Sequence, residues 1–181
     1  MPATGDGERM NPTEWNRNDG FSPNTPLLTH IAGLDPVASH LPGWNAIGAS
    51  LDPTSPIVLV DIATGDPIPL WAELDAHAAS DTDRLLTIRP AISLPEGHTF
   101  AVGLRSLVDH AGAPIAPSDA FRAFRDNLIT TVEAIEVRRP AMNEAFDALA
   151  KAGMVRSDLQ LAWSFTVAST QSISGRMLSI R

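Results

Sequence analysis

The stretch Arg84–Pro117, RLLTIRPAISLPEGHTFAVGLRSLVDHAGAPIAP, decides the fold class. Leu86 and Ile88 share one face of a first extended segment, and Phe100, Val102 and Leu104 share one face of a second. Apolar residues at a period of two are what a strand with one buried face requires. Pro95-Glu96-Gly97-His98 separates the two segments; Pro presets φ and Gly accepts a positive one, so this is a turn. Asp109-His110-Ala111-Gly112 is a second turn, in which Gly112 can adopt φ > 0 without steric cost. Short strands that end in turn chemistry predict a β-sandwich.

Upstream, Leu27–Ile31 reads as a first strand and Ile57–Val60, apolar and β-branched, as a buried one. Asp61–Asp66 is a hairpin loop with Gly65 at positive φ, and Ile68, Leu70 and Trp71 continue in a return strand. Pro67 and Pro69 remove ladder donors, which places that strand at an edge. Val37–Leu41 forms one helical turn, Ile47 and Leu51 pack inward, and residues 76–83 are a polar loop.

Downstream the period changes. Ser118 is a helix cap, and Ala120, Phe121, Phe124 and Leu128 follow at helical spacing. A second helix starts near Arg139-Pro140, where proline is accepted in the first turn. Met142, Phe146 and Leu149 form its buried stripe and Gly153 its stop. Glu133–Arg138 extends this helix backwards, with a break at Pro140. Asp158–Val167 alternates Leu159, Leu161, Trp163 and Phe165 with smaller or polar residues, the cleanest strand pattern in the chain. Ser169–Ile180 then begins another helix, with Ile173, Met177 and Ile180 on one side.

The 181 residues suit one domain or one domain with an appendage. A formal charge of −8 argues against nucleic acid and against an anionic membrane surface, because both need a basic face. No cysteine is present, which removes disulfide and thiol chemistry. No apolar run reaches the ~18 residues of a transmembrane helix, and MPATGDGERMNP lacks the apolar region of a signal peptide.

Two stretches carry a family resemblance. Leu94-Pro95-Glu96-Gly97-His98-Thr99-Phe100, the strand after it, and Asp109-x-x-Gly112-x-Pro114 together resemble the Ig-like modules of bacterial surface and secreted proteins. Asn16-x-x-Asp19-Gly20-Phe21-Ser22, within WNRNDGFSPNTPLLTHIAGLD, resembles the N-terminal region of bacterial virulence-factor-type lipases, where such a stretch precedes an Ig-like module. The resemblance implies a mainly β fold with an α insertion, that is, an Ig-like β-sandwich plus a helical segment at about 118–157. In such modules the Asp-x-x-Gly turn leads almost directly to a last strand with a Phe-Thr pair. Phe165-Thr166 fits that role here, with about forty residues of helix intervening.

On this reading residues 1–14 are a flexible lead-in and 15–181 a single Ig-like domain with a helical insertion at 118–157, part of a longer exported chain. The implied function is a non-catalytic accessory module of a lipase- or esterase-like hydrolase, located outside the cell or in its envelope. Its partner would be a downstream catalytic domain of the same chain. The alternative is a free-standing module that binds a carbohydrate or another protein.

The residues themselves offer little chemistry. Gly48-Ala49-Ser50-Leu51-Asp52 begins like a nucleophile elbow but lacks the second glycine that the sharp turn needs, and Pro53 indicates a loop. His30, His40, His77, His98 and His110 show no i, i+4 metal spacing, and His98 and His110 flank one strand. Asp61, Asp66, Asp81, Asp83 and Asp109 fall in predicted loops without the order of a calcium loop. Asn16, Asn18 and Asp19 tie their own turn to backbone N–H groups, and Phe21 plugs the core edge. Trp15, Trp44, Trp71 and Trp163 are candidates for a carbohydrate-binding face, with Trp163 the one expected to be buried. No catalytic, metal-binding or cofactor-binding residue is assigned.

Overall fold

The computed structural model describes residues 5–9, 11–13 and 15–180; the side chains of Trp15 and Arg176 lie outside that description, as does part of the expected lead-in. Among the described residues the fold is mixed α/β, with two three-stranded antiparallel sheets and four helices. The strands are β1 (Leu27–His30), β2 (Ile57–Asp61), β3 (Leu70–Leu74), β4 (Leu85–Pro90), β5 (Thr99–Arg105) and β6 (Leu159–Thr166). One sheet has the order β1-β4-β3 and the other β2-β5-β6. The helices are α1 (Asp119–Arg125), α2 (Glu133–Glu136), α3 (Arg139–Lys151) and α4 (Thr170–Leu178).

The two strands of the opening stretch lie in different sheets. β4 is the centre of one sheet and β5 the centre of the other. Their inward residues meet in one core: Leu86 and Ile88 from β4, and Phe100, Val102 and Leu104 from β5. β5 is buried on its other face as well, because α1 and α3 cover it there with Phe121, Phe146 and Leu149. α1, α2 and α3 all fall within the expected insertion, and Ser118 caps α1 by accepting the Phe121 N–H at 3.2 Å.

Several local expectations are corrected. The hairpin after β2 starts as read, with Gly65 at φ 79° and the Ile68 N–H on the Leu59 carbonyl at 2.8 Å. The chain then leaves that sheet, and β3 pairs with β4 at an edge of the other. Residues 133–138 do not continue α3 backwards; α2 ends at Glu136 and α3 begins at Arg139. In α1 the buried residues are Phe121 and Ala123, while Ala120 and Leu128 are exposed. Leu51 is exposed and Ser50 is buried in its place.

The clean alternation of β6 conceals a bulge. Leu104 faces Leu161, but Arg105 faces Leu159, so Gln160 is an extra residue on that strand. The bulge turns Leu159 to the helix-covered face, whereas Phe165 stays between the sheets. Gln160 uses its amide in place of a ladder. Its Oε1 accepts the Leu107 N–H at 2.6 Å, and its Nε2 donates to the carbonyls of Leu107 at 2.8 Å and Ile115 at 2.6 Å.

Candidate binding groove

The site grows from the way the N-terminal segment meets the end of β6. The Phe21 N–H donates to the Thr166 carbonyl at 2.9 Å, and the Ala168 N–H donates to the Phe21 carbonyl at 2.8 Å. This is a single parallel bridge between Phe21 and Val167. Gly20 permits it. A Cβ at position 20 would lie 2.5 Å from the Ala168 nitrogen and 2.6 Å from the Thr166 oxygen, both backbone atoms.

Asp19 fixes the junction. Its carboxylate accepts the Ser169 N–H at 3.0 Å and the Ser169 hydroxyl at 2.6 Å, across 150 residues of chain. The hydroxyl bond is the main reason that its carboxyl is held below the usual carboxylate range, with the Ser169 N–H next. Ser169 in turn caps α4 by accepting the Ser172 N–H at 3.2 Å. Asp19 therefore ties down a distant helix start, where the sequence suggested a local turn.

Phe21 does not plug the core: it is 59 % exposed. Its ring meets Phe165 edge-on at 6.4 Å, and Phe165 stacks on Phe100 at 5.7 Å. Phe21, Thr25, Leu28, Trp163 and Phe165 line an open groove of about 430 Å³ that carries no charged side chain. Beyond Trp163, a second hollow of about 500 Å³ lies against Phe121, Phe124 and Met142. Trp163, half-buried rather than fully buried, lines both, as does Ser164. Two aromatic faces with hydroxyls beside them suit a flat apolar surface, such as one face of a sugar ring or an apolar peptide side chain.

The other candidates are dispersed. Trp44 is 75 % exposed and Trp71 lies on β3, neither of them lining the groove. Ser50 is buried, donates to the Ile47 carbonyl at 2.7 Å and accepts the Leu70 N–H at 3.0 Å, so its hydroxyl joins two backbone segments. His30 meets the Thr82 carbonyl at 2.6 Å, and His40 and His77 are exposed. His98 and His110 stand at opposite ends of β5, as their spacing requires. Among the described residues no group of three or more His, Cys, Asp or Glu side chains could hold a metal ion.

Two histidine–carboxylate arrangements that join distant segments escape a reading of the sequence. Asp61 is buried at the end of β2, accepting from Ala63 N–H at 2.8 Å through Oδ1, with Oδ2 2.6 Å from His98 Nδ1. That pair orients an imidazole, and among the described residues no serine or threonine hydroxyl is hydrogen-bonded to it. His110 lies between Asp35 and Asp81. Neither contact is visible as spacing, because each joins segments far apart in the chain. No protein-family profile matches this chain, and no curated protein matches it in sequence.

Proposed function

We propose that this chain is a non-catalytic Ig-like accessory module of an exported bacterial lipase- or esterase-like hydrolase, which positions or shields the catalytic domain. The observation that carries this reading is the strand order. Lettered B to G along the chain, β1-β4-β3 becomes B-E-D and β2-β5-β6 becomes C-F-G, the grouping of an Ig constant-type sandwich without its first strand. The helices α1–α3 then sit between the last two strands as an insertion. The Asp19-Gly20-Phe21 run supports the same reading, since those three residues join the leading segment to β6 and α4. On α4, Met177 and Leu178 are exposed at 74 % and 58 %, an apolar stripe suited to contact with a following domain.

The test combines an assay with the gene. The chain alone should not turn over short- or long-chain p-nitrophenyl esters, and the reading frame beyond codon 181 should encode Gly-x-Ser-x-Gly between a strand and a helix pattern. Turnover that disappears in Ser50→Ala overturns the non-catalytic reading. A second reading, a free-standing carbohydrate- or protein-binding module, is favoured by the groove of Phe21 and Trp163. It requires saturable quenching of tryptophan fluorescence by an oligosaccharide or peptide, lost in Phe21→Ala.

A further inference from the structure

His110 has a carboxylate on each ring nitrogen. Its Nδ1 lies 3.3 Å from Asp35 Oδ2 and its Nε2 lies 2.8 Å from Asp81 Oδ2. Asp35 belongs to the loop after β1, His110 to the turn after β5, and Asp81 to a short 3-10 helix, Asp81–Asp83, in the β3–β4 loop. We infer that His110 is a proton-operated pin: as an imidazolium it holds these three segments together, and on deprotonation it must release one of them.

The reason is a donor count. A neutral imidazole carries one N–H and one lone pair, whereas carboxylates only accept, so both contacts are satisfied only when both ring nitrogens carry protons. The hydrogen bonds to Asp81 first and Asp35 second hold the His110 pKa above the ordinary histidine range. Arg84 lies 3.3 Å from the other oxygen of Asp81. Asp109, on the pin's own turn, accepts the N–H groups of Ala111 and Ala113 at 2.9 Å. Asp83 accepts from the Ser80 hydroxyl at 2.7 Å.

Of the three segments, the β3–β4 loop is the one free to move away when a contact is lost. The other two are already zipped by backbone, with the Asp35 N–H on the Val108 carbonyl at 3.0 Å and a bridge between Leu34 and Asp109. Among the described residues no backbone hydrogen bond joins the β3–β4 loop to that turn; beyond the pin, the loop is held from β1 by His30 on the Thr82 carbonyl. Because the His110 pKa is raised in the folded state, the pin is fully engaged below the ordinary histidine value of 6.5 and is lost as pH rises through the higher folded value. Both carboxylates are held below 3.8, Asp35 mainly by the Ala38 N–H and Asp81 mainly by Arg84, so the acid limit lies below that value.

The test is a titration of the whole chain by NMR with amide exchange read in parallel. His110 should show both ring nitrogens protonated near pH 6 and titrate above the same residue in the urea-unfolded chain. Asp81→Asn should move that midpoint back towards the unfolded one. Protection of residues 76–83, corrected for intrinsic exchange, should fall through the same midpoint in the wild type but not in His110→Gln. A midpoint at or below that of the unfolded chain overturns the proposal. So does an unchanged pH course of protection in His110→Gln.

Discussion

The sheet β2-β5-β6 is buried on both faces, and the two faces are built on different rules. Towards the other sheet it presents Leu59, Phe100, Val102 and Leu104, which interlock with Leu70, Leu86 and Ile88. These large side chains fill the space where the two sheets share a core. Towards the helices the same strands present Val58, Val60 and Leu159 around a low centre of Ala101, Gly103 and Ala162, onto which α3 lowers Phe146 and Leu149. The helix face also depends on arginine clamps. Arg156 lies 4.2 Å from the centre of the Phe146 ring and donates to the carbonyls of Phe124 and Arg125 at the end of α1. Burial lowers its pKa. Arg139 donates to the carbonyls of Ala123 and Leu128, and Arg105 to those of Ser55, Gly153 and Pro53. The inter-sheet core holds by side-chain volume, while the helical layer holds by close approach plus hydrogen bonds to loose carbonyls.

The sharpest way to break that contrast is to empty each core in turn. Phe100→Ala should cost about 3–5 kcal/mol, and Phe146→Ala about as much, since both side chains are essentially buried. Urea unfolding followed by far-ultraviolet circular dichroism and by tryptophan fluorescence reads helix and sheet separately. Phe100→Ala should move both midpoints together. A Phe146→Ala midpoint equal to that of the wild type would make the helices a loose appendage and dissolve the comparison.

Two glycines sharpen it at a smaller scale. A Cβ at Gly103 would meet the Met154 sulfur at 2.5 Å and two Leu149 methyls at 3.0 Å. A Cβ at Gly20 would instead meet backbone, which has less room to move. Both alanine variants should lose about 1–3 kcal/mol by overpacking, with Gly20→Ala the more costly. The reverse order would mean that the helical seat is stiffer than the strand junction. Ser169→Ala should follow at about 0.5–2 kcal/mol, the usual value of an N-cap, read as a shift in the urea midpoint.

How far the fold could be read in advance follows the same division. The large inward residues of β4 and β5 spell their faces, so Leu86, Ile88, Phe100, Val102 and Leu104 are legible from period alone. The stripe Met142, Phe146 and Leu149 is legible for the same reason. Ala101 and Gly103 were not, because small residues carry no signal of what lies above them. The bulge at Gln160 was hidden by an intact alternation, since register is a property of two strands and not of one. Asp19, Phe21, Asp61 and His110 were misread or missed because their partners lie in segments distant in sequence. The groove shares that origin. Residue type singles out Trp163, but its half-exposed position depends on where Phe21 and α1 come to rest.

The smallest expected effect tests the helical layer at its hinge. Glu136 closes α2 onto α3. Its carboxylate is 2.7 Å from Arg139 Nη2 and accepts the Thr130 N–H at 3.0 Å and the Thr130 hydroxyl at 2.9 Å. These bonds, the Arg139 one first, hold its pKa at about 2 against an ordinary 4.5. A depressed carboxylate contributes stability above its unfolded pKa and loses it as pH falls through the folded one, so the window here runs from about 4.5 down to about 2. Solvent reaches this pair, so the effect is small and weakens with salt. Melting temperatures from pH 7 down to pH 2, at low and high salt, should fall less in Glu136→Gln than in the wild type across that window. Above pH 5 the variant should melt slightly lower. If the two curves stay parallel down to pH 2, the α2–α3 joint is held by packing and backbone alone, and the arginine clamps of the helical layer carry less than their number of bonds suggests.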